Sequence, residues 1–349
     1  MREPAIFDGH NDLLSELWRA GGDPAQRFAT GLPGHIDKAR VEAGGFGGGF
    51  FAVWIPSPID LGDLTTRMLQ PQYDLPMPPP IPQADALPAA LGQIAVLHRL
   101  EAAGHVTVCT SVDQIEACRT QGRLAAILHF EGAEAIDGDF EALEVFYRAG
   151  LRSLGPVWSR NTRFAEGVPF RFPAMPDAGG GLTDDGVRLV EICNRMGIML
   201  DVSHLNAAGF WDLVRVSDAP VVATHSNAHA ICPHARNLTD DQLRAIADTD
   251  GMVGLNFATA FLRPDGQMVS DVPFEMMMRH LDHLMEFLGE DRVGLGSDFD
   301  GAVVPAVIKD LAGLPAFRQA MRDHGYNDQL LEKLCWSNWM ALLRRVWKR

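Results

Sequence analysis

Near the start of the chain, in the run Phe7-Asp8-Gly9-His10-Asn11-Asp12, an imidazole and a carboxylate stand two residues apart. The segment reads as a strand, and strand side chains alternate faces, so His10 and Asp12 project to the same side. Both are ligand types that zinc-class ions accept. The same chemistry recurs at the ends of later strand-like runs, in Phe130-Glu131-Gly132, Val202-Ser203-His204, Ala223-Thr224-His225 and Gly296-Ser297-Asp298. Taken singly, each of these reads as well as a loop or helix cap. Gathered at one place, the imidazoles and carboxylates would repel one another or be poorly solvated unless cations lay between them. Two ions resolve this. Glu131 can bridge them, one oxygen to each, with His10 and Asp12 completing one ion and His204 and His225 the other, at the separation of about 3.5–4 Å usual for two-metal sites. A water shared by two zinc ions would exist as hydroxide near neutral pH, and the second ion would polarise a carbonyl oxygen. Asp298 is then expected to hold that water, accept its proton and pass it to a leaving amine.

Such a site needs strands whose C-terminal ends converge. Apolar strand-like runs fall at 46–55, 124–131, 151–158, 198–204, 220–225, 252–257 and 292–298, which with the opening strand make eight. Helical patterns fall at 34–43, 86–103, 140–149, 183–196, 206–217, 239–249, 273–289 and 328–346. Ser111-Val-Asp-Gln114 and Thr239-Asp-Asp-Gln242 have capping-box spacing, which marks helix starts. Regular alternation predicts parallel βαβ units, and eight of them close into a (β/α)8 barrel with its active site at the strand C-termini. An open doubly wound sheet is the other arrangement, but no Gly-x-Gly-x-x-Gly turn follows the first strand, and the glycine-rich run at 44–49 precedes a strand rather than opening a helix. Residues 1–349 are therefore read as one barrel domain. Its one interruption is the proline-dense stretch at 56–88, including Pro78-Pro79-Pro80, an insertion expected to wall the active-site mouth or form a homodimer edge.

A formal net charge of −15 argues against a nucleic-acid or anionic-membrane partner, since phosphate surfaces are bound by concentrated Lys and Arg. Cys109, Cys118, Cys193, Cys232 and Cys335 are scattered and odd in number, with no Cys-x-x-Cys pair, so no disulfide framework is expected. The chain enters its first strand almost at once and has no apolar run near the roughly 20 residues that span a bilayer, which gives a cytoplasmic expectation.

The ordered set Asp-Gly-His10-Asn-Asp12, Glu131-Gly, Asp-Val-Ser-His204, His225-Ser-Asn-Ala, Cys232-Pro-His-Ala-Arg236-Asn and Gly-Ser-Asp298-Phe-Asp-Gly resembles the membrane (renal) dipeptidase family of metallopeptidases over nearly the whole chain. The resemblance implies a binuclear zinc barrel of amidohydrolase type, with two Zn²⁺ per subunit, that cleaves dipeptides and tolerates a D-residue at the C-terminal position. Arg236 matches the residue that holds the substrate carboxylate, a task suited to a planar guanidinium. The chain also departs from the family. Trp158 stands where members carry a substrate-contacting His, and Ala258 replaces a tyrosine expected after Asn256-Phe257. Mammalian members are exported, lipid-anchored and disulfide-bonded, and none of those features is evident here. The metal and Asp298 do not by themselves choose a substrate, so another small amide, a lactone or a phosphoester is the alternative, and a non-catalytic metal-holding barrel a remoter one.

Overall fold

The computed structural model describes residues 3–31, 33–57 and 64–347. Eight parallel strands carry the architecture: β1 (Ile6–Asn11), β2 (Phe46–Trp54), β3 (Ala125–Glu131), β4 (Leu151–Gly155), β5 (Met199–Leu200), β6 (Val222–Ala223), β7 (Met252–Leu255) and β8 (Val293–Leu295). Their hydrogen-bonded order is β5-β4-β3-β2-β1-β8-β7-β6, with Thr107–Val108 added beside β3. A parallel bridge from Asp201 to Val222, with the Val202 N–H donating to the Val222 carbonyl at 2.8 Å, joins β5 to β6 and closes the ring. The (β/α)8 barrel is thus the fold, and every expected strand is found at its expected place.

The strands are covered on both faces, which is why their sequences are apolar runs rather than alternating ones; β3, Ala-Ala-Ile-Leu-His-Phe-Glu, is buried throughout. The Gly47-Gly48-Gly49 run of β2 has a steric cause. A Cβ on Gly48 would strike the Ala125 carbonyl of β3, and one on Gly49 the Asp8 carbonyl of β1.

Helices begin where the caps lie. Thr183 caps Asp184–Met196, Asn206 caps Ala207–Val216 and Thr239 caps Asp240–Asp248, the last with a complete capping box. At Ser111 the reciprocal half is displaced: Gln114 accepts from the N–H of Thr110, not Ser111. The expected helix at 34–43 starts later, at Lys38–Gly44, because Asp37 caps it. The final helix has a π turn at Lys333–Ser337, which carries Trp336 inward beside Trp339. Both pack against Phe7, Phe50, Met199, Val222 and Met252, near the starts of several strands, sealing the barrel floor and leaving the C-terminal end for the site.

Part of the proline-rich insertion, residues 58–63, lies outside the described residues. Its later part holds Tyr73–Asp74, paired antiparallel with Arg171–Phe172, and Tyr73 Oη donates to the Gly266 carbonyl at 2.6 Å. The following helix starts at Gln83, slightly before the expected 86. All five cysteines are buried and free. Among the described residues no helix is long and apolar enough to cross a membrane.

Candidate metal centre

Side chains from the C-terminal ends of β1, β3, β5, β6 and β8 meet in a cluster centred on Glu131. Glu131 Oε1 lies 3.0 Å from His204 Nε2 and 3.4 Å from His225 Nε2, while Oε2 lies 3.8 Å from His10 Nε2. His10 Nε2 is in turn 3.3 Å from Asp12 Oδ2. The possible ligand atoms of His10, Glu131 and His225 fall within 4.8 Å of one another, as do those of His10, Asp12 and Asp298. Two of the positions are reached through left-handed backbone, His204 at φ 67° and Asp298 at φ 59°, a conformation that costs a non-glycine residue about 1–3 kcal/mol and is typical of functional sites. Gly301 makes room for Asp12 and Asp298, since a Cβ there would strike Asp12 Oδ2 and Asp298 Oδ1.

Burial shapes the charge of the cluster. It pushes Glu131 well above the usual carboxylate range, with Asp12 and Asp298 adding to the rise against the opposing pull of His10. Asp298 is raised for the same first reason. Burial is the largest influence on His10 and depresses it, yet Glu131, Asp12 and Asp298 together lift it to about 10. His204 and His225 are held well below the ordinary imidazole value by burial, with the Arg236 and His10 charges adding to the effect. His225 Nε2, fully buried and aimed at Glu131, has no hydrogen-bond partner. Closely packed carboxylates and neutral imidazoles with an orphaned ring nitrogen are a donor set that fits cations.

A neighbouring shell orients these groups. Asp8 accepts from the N–H and Oγ of Ser297 at 2.6 and 2.8 Å, fixing the turn that carries Asp298. Asn256, at the end of β7, donates to Asp298 Oδ2 at 3.0 Å. Ser159 Oγ is 2.8 Å from His204 Nδ1. Sequence reasoning missed Asn256 and Ser159. The available signal for Asn256 was a polar residue inside the apolar run 252–257. His129 makes its contact with Ser153 and packs edge-on to His10, while burial holds it down to about 3. Other histidines and acids nearby have structural partners: His229 donates to the Ala174 carbonyl, His234 Nδ1 accepts from the Arg236 N–H, and Asp300 accepts from the His35 N–H.

Above the cluster is a cleft of about 410 Å³, within the range of small-ligand sites. Asp12, Glu131, His204 and Asp298 reach it, and Trp54, Trp158, Phe170 and Phe261 are among its walls. Trp158 packs against Trp54 and Phe170 at ring separations of 5.3 and 5.6 Å and lies 6.0 Å from His204. Ala258 lines the cleft as well, as do Leu64, Thr65 and Met68 from the insertion. Arg236 is buried beneath Phe261, its Nη1 and Nη2 bonded to Ser226 Oγ and the His225 carbonyl, with Nε unpartnered. Burial pushes it down to about 10 against the pull of Asp298, Asp201 and Glu131.

The chain matches the family model described as membrane dipeptidase, peptidase family M19, over residues 1–349. It is 52% identical to a metallopeptidase from Rhodobacter sphaeroides, solved with a phosphinate mimic of the dipeptide L-Ala-D-Ala, with 99% of this chain and 100% of that one covered and a TM-score of 0.95. A second solved structure, the metallopeptidase called dipeptidase AC, is also 52% identical, with full coverage of both chains and a TM-score of 0.95. A Klebsiella pneumoniae relative, described as an uncharacterized protein in the pqqA 5′ region, is 48% identical over 259 residues, 74% of this chain and 96% of its own length.

Proposed function

The chain belongs to the membrane dipeptidase family and is a metallo-dipeptidase, a hydrolase of peptide bonds; from that premise we propose that its 349 residues act as one barrel domain holding two zinc ions and cleaving small dipeptides with a free carboxylate. The observation that carries this reading is Glu131, whose two oxygens face different imidazoles, Oε1 toward His204 and His225 and Oε2 toward His10. His10 and Asp12 would hold one ion, His204 and His225 the other, and Glu131 both. When bound, the ions supply a water whose pKa falls toward about 7 and a Lewis acid for the scissile carbonyl.

The remaining work falls to the chain's own residues. Asp298, with Oδ2 held by Asn256, keeps Oδ1 to take the proton of the attacking water and return it to the departing amine. Arg236 is oriented by two of its nitrogens, and its remaining donors suit a substrate carboxylate. Trp158 can donate through its indole but cannot carry a proton charge, so its part would be to shape the pocket rather than to supply positive charge. The aromatic walls favour a compact C-terminal residue. The Rhodobacter relative holds a mimic of L-Ala-D-Ala, which supports acceptance of a D-residue at the C-terminal position. The subunit is taken to work as a homodimer.

A dipeptide library made with L and D C-terminal residues, run beside the same dipeptides as C-terminal amides, tests the reading. Acids should be cleaved and amides spared. Amides cleaved equally well would remove Arg236 from its role. Failure of every dipeptide while a lactone or phosphoester is hydrolysed would replace the substrate class.

A further inference from the structure

An imidazole can ligate a metal only through a nitrogen that carries no hydrogen, so the partner of its other nitrogen decides whether it is ready to bind. Nδ1 of His225 lies 2.8 Å from Thr224 Oγ1, and that hydroxyl lies 2.5 Å from Asp201 Oδ2. The second oxygen of Asp201 accepts the backbone N–H groups of Ser203 and Thr224, both at 2.9 Å. Asp201, Thr224 and His225 are all buried, at 1%, 0% and 0% exposure, so water does not compete for these bonds.

A hydroxyl has one hydrogen to give, and an ionised carboxylate can only accept. The Thr224 hydrogen therefore goes to Asp201, its lone pair faces the ring, and the ring hydrogen must sit on Nδ1. Nε2 is left bare, and it is Nε2 that points at Glu131 without a hydrogen-bond partner. The geometry points to Thr224 and Asp201 as positioning residues that lock His225 in its metal-accepting tautomer. This rests on reading His225 as a ligand. The rival view gives Asp201 a purely structural task, tying the end of β5 to that of β6 through its backbone bonds and sitting 3.6 Å from His129 Nε2.

The two roles separate in Asp201→Asn. Its amide oxygen can still accept both backbone N–H groups, but its NH₂ would donate to Thr224 Oγ1, turning the hydroxyl hydrogen toward His225 Nδ1 and moving the ring hydrogen to Nε2. The experiment measures zinc content and zinc affinity, by chelator competition, for the wild type and for Thr224→Val, Thr224→Ser, Asp201→Asn and His225→Ala, with melting of the metal-stripped proteins as a check on folding. Thr224→Val should weaken one of the two sites about 10–100-fold, the usual cost of losing such a partner. Asp201→Asn should do at least as much, and Thr224→Ser should bind like the wild type. Zinc lost in His225→Ala but unchanged in Thr224→Val and Asp201→Asn overturns the relay alone, as does a Thr224→Ser variant no better than the valine. Zinc unchanged in His225→Ala overturns the ligand reading and the relay with it.

Discussion

Asn256 donates its side-chain amide to Oδ2 of Asp298 at 3.0 Å, and its own amide oxygen accepts the Ala258 N–H at 2.6 Å. The second bond assigns which end of the amide faces Asp298. One carboxylate oxygen is thus held in place by a neutral donor, which in the proposed mechanism leaves the other to exchange a proton. Asn256 directly follows β7, which like β2 and β4 offers no charged or imidazole group to the cluster, and it aims a residue at the end of the next strand.

Asp298→Asn keeps the side-chain size and can present its amide oxygen to Asn256, but it cannot accept a proton. Turnover should fall about 10²–10⁴-fold while metal content stays unchanged. Steady-state kinetics beside elemental analysis check this, and near-normal turnover would assign the proton transfer to another group.

The protein purified without chelator should hold two zinc-class ions per chain, because the imidazoles and carboxylates around Glu131 exceed what one tetrahedral ion uses. His204→Ala removes the imidazole 3.0 Å from Glu131 and should lose metal and activity together. Dialysis against a chelator should abolish activity, and added zinc should restore it. Full activity with one tightly held ion would end the bridged arrangement.

Trp158 fills the cleft between Trp54 and Phe170, so Trp158→Ala should open it. Bulky C-terminal residues that the wild type handles poorly should gain in kcat/KM, and compact ones should lose. An unchanged preference across a series from Ala to Phe would remove Trp158 from the substrate pocket.

His280 predicts a pH dependence of stability away from the cluster. Its Nδ1 accepts from the Ala228 N–H at 3.2 Å and its Nε2 bonds the Leu262 carbonyl at 2.9 Å, which requires a neutral ring. Burial pushes it down to about 4; the Leu262 carbonyl opposes this, and nearby His283 and Arg279 add to it. An unfolded histidine titrates near 6.5. Between those values the unfolded chain binds a proton that the folded one refuses, so this group costs stability as pH falls, by about 1.4 kcal/mol per unit. Above pH 6.5 it contributes nothing. His280→Gln can make both bonds without titrating, so its denaturation free energy should fall less steeply from pH 6.5 to 4.5. Parallel curves for variant and wild type would show that the ring is not the titrating group.

The barrel was legible because its evidence is local. Eight apolar runs, capped helices between them, and a polar residue at each useful strand end need no knowledge of distant contacts. Thr183, Asn206 and Thr239 mark their helices by side-chain chemistry that acts within one turn. The grouping of His10, Asp12, Glu131, His204, His225 and Asp298 was legible for the same reason, since strand ends in this fold must converge. The helix Leu13–Ala20 was missed although Leu13, Leu14 and Leu17 mark one buried face locally, and the short strand Thr107–Val108 was missed because only its pairing with Ala125 and Ala126 defines it.

By itself, the sequence determined the order of strands and helices and which ligand-type residues would share one end of the barrel, because main-chain periodicity and capping are settled within a few residues. Only the tertiary structure decided which oxygen of Glu131 faces which imidazole, that Asn256 rather than a charged group holds Asp298, and that Asp201 reaches Thr224 across two strands. Those relations join residues far apart in the chain through hydrogen bonds and close approaches of 2.5–3.8 Å, and at that scale ring closure and strand register, rather than residue type, place the atoms.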